Sequence, residues 1–112
     1  MIEAEFSRCE KGFLLKVSGH AGYSSGGDDV VCAAVSGIVY ALAGYIKNEC
    51  EGAVIAALRP GYAAIECGKE GEPAMRMAYI GLLQLALTYP DFVRVECDAW
   101  RVKTGKAREL IA

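Results

Sequence analysis

Residues 19–49, GHAGYSSGGDDVVCAAVSGIVYALAGYIKNE, decide the plan of the chain. From Val30 to Ile46 the side chains are apolar or small apart from Ser36. Asp28 and Asp29 precede the run, and Lys47, Asn48 and Glu49 follow it. That pattern predicts one long helix ending near Glu49. A carboxylate just ahead of the run accepts the orphan N–H groups of the first turn, so Asp28 or Asp29 is the cap. The 17 residues also reach the lower limit for a membrane-spanning helix. The Ala- and Gly-rich composition and charged ends favour instead the buried centre of a soluble domain, with no membrane partner.

Before this stretch, Ile2, Ala4 and Phe6 alternate with Glu3, Glu5 and Ser7, which predicts a strand to Arg8. Cys9 to Gly12 is a turn, and Phe13 to Gly19 returns as the second arm of a hairpin. Ala21 to Gly27 is small, polar and glycine-rich, a loop in which Gly22, Gly26 and Gly27 permit hinge motion. After the long helix, Ala53–Leu58 and Tyr62–Cys67 flank Arg59-Pro60-Gly61, and Pro-Gly suits the centre of a type II turn. Lys69 to Glu72 reads as a charged loop. Pro73 fits the first turn of a second helix reaching Thr88. Beyond Pro90, Phe92 to Ala99 forms a last strand with Val93, Val95 and Cys97 on one face. The tail from Thr104 is polar at first and is expected to fray. The order ββαββαβ predicts an α+β two-layer sandwich, a mixed or antiparallel sheet with two helices.

The totals agree. One hundred and twelve residues make a single domain over 1–112, and 54% hydrophobic residues supply a core. A net charge of -2 and a pI near 5.4 leave no basic footprint for nucleic acid. A mean hydropathy of +0.24 suggests apolar surface left for a homodimer interface. Five cysteines without a CxxC pair, and a single histidine, argue against a zinc cluster, so neither metal nor cofactor is expected. The N-terminus lacks the basic start and apolar stretch of a signal peptide, and reduced thiols place the chain in a cytoplasm.

Chemistry concentrates at His20 and Cys32. The only histidine ends the second strand, and Cys32 falls in the first turn of the long helix. A thiolate, not a thiol, is the nucleophile, and the N–H donors and positive dipole of a helix start favour an anion. The imidazole accepts the proton, and the same helix N–H groups are candidates to hold an oxyanion. Asp29 lies three residues before Cys32. Left unpaired it would oppose a thiolate; as a cap, or by orienting His20, it would help. Ser36, one turn beyond Cys32, either faces the thiol and the groove or bonds back to its own helix. Cys67 and Cys97 read as strand packing, and Cys9 and Cys50 as inert thiols.

Gly19-His20-Ala21, followed by Asp29-Val30-Val31-Cys32-Ala33-Ala34-Val35-Ser36, resembles the bacterial ribosomal-processing cysteine protease family, Prp. Its pattern is a GHA, a short Gly-rich loop, D-[IV]-V-C-A and a Ser four residues after the Cys. The resemblance implies a homodimeric thiol protease of ribosome biogenesis. Its substrate would be the precursor of a large-subunit ribosomal protein, number twenty-seven, from which it removes a short N-terminal extension. By position, Cys32 is then the nucleophile, His20 the base, and Asp29 and Ser36 the supporting polar groups. The loop with Gly22, Gly26 and Gly27 would close on substrate, a segment with aromatic residues before the cut. Two alternatives stand beside it. A non-catalytic ribosome-assembly binding module would leave Cys32 and His20 structural, and a thiol redox sensor would need a resolving cysteine near Cys32.

Overall fold

The computed structural model describes residues 1–24 and 29–100; Gly26, Gly27, the alternative cap Asp28 and the tail from Thr104 lie outside the described residues. The elements are β1 (Ile2–Arg8), β2 (Gly12–Ser18), α1 (Val30–Glu49), β3 (Val54–Arg59), β4 (Tyr62–Gly68), a 3-10 turn (Lys69–Gly71), α2 (Glu72–Thr88) and β5 (Val93–Cys97). The five strands form one mixed sheet in the order β3-β4-β2-β1-β5. All neighbours are antiparallel except β1 and β5, which run parallel because α2 carries the chain across between β4 and β5.

Alternation along the strands sends one set of side chains under the helices. Ala4 pairs with Val17 and Phe6 with Leu15, and Leu15 pairs in turn with Ile65. These, with Ile46 of α1 and Met75 and Leu82 of α2, belong to the buried core. Glu3, Glu5, Lys16, Arg94 and Glu96 point the other way, into solvent. The two helices pack on each other over the same sheet face, α1 above β3 and β4 and α2 above β2 and β5. The expected α+β two-layer sandwich is present.

Three details differ from the sequence reading. Helix α1 is not buried all round. Val31, Val35, Val39, Leu42, Ala43 and Ile46 form its packed stripe, while Tyr40 and Tyr45 are about half exposed (53% and 50%). Its length and apolarity alone would suffice to cross a membrane, yet its packed stripe serves the sheet. Lys69–Gly71 is a 3-10 turn running straight into α2, not an open loop. The last strand stops at Cys97. There Asp98 N donates to the Phe6 carbonyl (3.2 Å), and Trp100 folds under, stacked on Phe13 (4.9 Å) and Tyr79 (5.9 Å). Its indole Nε1 donates to Glu72 Oε2 at 3.0 Å, so the buried polar tip is satisfied.

Candidate active site

Helix α1 starts because Asp29 caps it. In extended backbone, its Oδ1 accepts from Val31 N (3.0 Å) and Cys32 N (2.9 Å), and its carbonyl accepts from Ala33 N (3.0 Å). Oδ2 accepts from Tyr23 N at 3.0 Å. The Cys32 amide is the chief cause that holds this carboxyl below the usual carboxylate range, against partial desolvation and with help from the Tyr23, Ser24 and Val31 amides. Asp29 therefore caps the helix and ties the preceding loop to it. Its negative charge, three residues from a thiol, is absorbed by backbone donors.

The amides of Val31, Cys32 and Ala33 are all committed to Asp29, so they are not free to hold an oxyanion. The donor that reaches the sulfur comes from the other side. Ala21 N lies 3.2 Å from Cys32 Sγ. Ala21 is buried, and two residues on, the Tyr23 ring stands edge-on to Tyr89 (5.6 Å) and Phe92 (5.2 Å). Asp29 and this aromatic contact fix the segment that presents the Ala21 amide.

His20 and Cys32 line the same cavity, of about 260 Å³, between the first half of α1 and the β3–β4 turn. Ser36 lines it too, as do Tyr40, Arg59 and Gly61. Strand end and helix start thus converge as the loop length permits. Among the described residues no hydrogen bond joins the imidazole to the thiol, and the Ser36 hydroxyl makes none to Sγ. Gly22, at φ +69, lies in the loop entry with open space around it. Among the described residues that line the cavity, Arg59 alone carries a fixed charge, with its guanidinium 5.0 Å over the Tyr62 ring. No group of three or more His, Cys, Asp or Glu among the described residues is arranged to hold a metal.

Sequence reasoning missed the turn side of this cleft. Arg59-Pro60-Gly61 reads locally as a hairpin turn and nothing more. It becomes a wall of the site only because β2 pairs with β4 in a register that sets Ser18 opposite Tyr62, beside Gly19 and His20. The Ala21 amide was equally invisible, being backbone.

The family model described as "Cysteine protease Prp" matches residues 1–94. Among curated proteins, none matches the sequence. The Staphylococcus aureus ribosomal processing protease Prp, in complex with a covalently linked product peptide, superposes with a TM-score of 0.76 at 19% identity. That match covers 88% of this chain and 100% of the other. The same S. aureus protease with a substrate peptide gives 0.71 at 18% identity over 88% and 100%. SMU.848 from Streptococcus mutans gives 0.68 at 25% identity over 87% and 93%.

Proposed function

The chain belongs to the Prp cysteine protease family, and from that premise we propose that Cys32 is its nucleophile and His20 its general base. The observation that carries the assignment is the shared cavity, in which an amide donor reaches Sγ and the only imidazole of the chain forms part of the wall. The reaction is acyl transfer. His20 takes the Cys32 proton, the thiolate attacks the scissile carbonyl, and His20 returns the proton to the leaving amine before water releases the acyl-enzyme. Asp29 acts through the backbone, by fixing the helix start and the Ala21 segment. Ser36 lines the groove beside the nucleophile.

The substrate we propose is the precursor of large-subunit ribosomal protein twenty-seven, cut to remove its N-terminal extension. The S. aureus relative's description as a ribosomal processing protease supports this, as does an open cleft between α1 and a turn, suited to an extended peptide. A cytoplasmic homodimer is the working form we propose. All five thiols are free, and apolar side chains stand exposed on α1 (Tyr40, Tyr45) and on β3 (Val54, Leu58). Incubation with the precursor, followed by mass spectrometry, tests the proposal. Wild type should release the extension, Cys32→Ser should release none, and His20→Ala should be slower by about 10²–10⁴-fold. Cleavage by folded Cys32→Ser at the wild-type rate would end the assignment. An intact precursor with wild type would reject the substrate alone.

A further inference from the structure

Gly61 meets two separate demands. Its φ is +81, the left-handed value that a Pro-Gly turn needs at this position. An asparagine tolerates that backbone as well, so the turn by itself does not require a bare Cα. The second demand does. A Cβ on Gly61 would stand 2.9 Å from His20 Nε2, 3.3 Å from Cε1 and 3.8 Å from Cδ2. The imidazole is therefore seated on Gly61 by its outer edge, at a distance no real Cβ allows. The same residue holds the strand end that bears the ring, since its carbonyl accepts from Gly19 N at 2.9 Å. On the other side of that strand end the Met1 carbonyl closes in on the place where a Gly19 Cβ would stand. The backbone under His20 is thus gripped from both sides, and the ring's resting place is set by what Gly61 lacks.

We propose that Gly61 is a positioning residue for the general base: its bare Cα seats the His20 imidazole in the cleft that holds Cys32. The inference rests on His20 being the base. A Cβ at this position meets only the far end of an exposed, two-torsion side chain, which yields by swinging away. The fold loses little through that contact, and the base loses its place. Displacing a catalytic group by about 1 Å is enough to cost on the order of 10²-fold in rate.

The test uses the full chain with Gly61→Asn, which keeps the left-handed turn accessible, beside Gly61→Ala. Cleavage is followed on a peptide spanning the scissile site. The expected result is a fall in kcat of about 10–100-fold with KM within about twofold of wild type. Because His20 is the only histidine, its imidazole resonances form a second, activity-free readout. They should shift in Gly61→Asn and stay in place in Pro60→Ala, which leaves Gly61 bare. Unchanged kcat with unchanged imidazole resonances would overturn the inference, as would a loss confined to KM. If neither variant folds, Gly61 serves the backbone alone and the inference also fails. Full activity of His20→Ala would instead overturn the assignment of the base, whatever Gly61 does.

Discussion

Helix α1 has a thiol at each end, and the two ends have opposite chemistry. Cys32 lies in the first turn, at the positive end of the helix dipole, half-buried on the cavity wall with the Ala21 amide 3.2 Å from its sulfur. Cys50 is the C-cap, where the dipole is reversed. Burial pushes its thiol up, and Glu70 and Glu49 add to that. Its neighbour Cys67 is pushed up to about 11, mainly by burial, with Cys50, Cys9, Glu66 and Glu70 contributing. Both sulfurs crowd Gly71, where a Cβ would stand 2.7 Å from Cys67 Sγ and 3.6 Å from Cys50 Sγ. Residue type is the same at both ends; donors, dipole sign and access differ. Over 18 residues of helix, about 27 Å, the chain passes from a sulfur open to chemistry to sulfurs used as packing.

Selective alkylation is the largest effect this contrast predicts. With limiting iodoacetamide near neutral pH, peptide mapping should find Cys32 modified at least about tenfold faster than Cys50 or Cys67. Denaturant should erase the difference. Equal labelling of Cys32 and Cys67 in the folded protein would dissolve the contrast between the two ends.

Which parts of this were legible beforehand follows from how local each signal is. The β1 alternation, the Asp29 cap, the Pro60-Gly61 turn and Pro73 at the start of α2 are short-range rules, and each appears where the sequence puts it. Cys32 and His20 stood out because each ends an element. The parallel pairing of β5 with β1 and the burial of Trp100 depend on partners far along the chain, which no window of sequence contains. The expectation that helix amides hold an oxyanion loses Val31, Cys32 and Ala33 for a related reason. One carboxylate can satisfy several donors at once, and only geometry shows that Asp29 takes all three. Gly61 was read for its turn and not for its neighbour, because the neighbour arrives through the β2–β4 register.

The inert end of α1 gives the next largest effect. Gly71 is buried, and Gly71→Ala would drive a methyl into Cys67 Sγ and Cβ, whose own burial leaves no room to retreat. Overpacking of this kind costs about 1–3 kcal/mol, to be read from denaturant unfolding. Combining it with Cys67→Ala, which removes the sulfur, should recover part of that loss, because the two changes share one contact. Strict additivity would show that the clash is with backbone and that Cys67 is not the group filling this corner.

The reactive end predicts the smallest effect, and it is a dependence on pH. Folding lowers the Asp29 pKa, chiefly through the Cys32 amide, so the unfolded chain binds this proton more tightly than the folded one. The stabilisation is therefore complete above the ordinary carboxylate range and is lost as pH falls through the folded value. Asp29→Ala should lower Tm by a few degrees at neutral pH, as loss of a cap does, and by less in acid. Asp29→Asn keeps an acceptor oxygen for the helix start but not the charge, so its deficit should be smaller at neutral pH and vanish first on acidification. The same two variants separate capping from chemistry. Since the carboxylate also holds Tyr23 N, and through that segment the Ala21 amide, Asp29→Ala should slow Cys32 alkylation more than it lowers Tm would suggest, with Asp29→Asn between it and wild type. An alkylation rate indifferent to both substitutions would leave Asp29 a helix cap and nothing more.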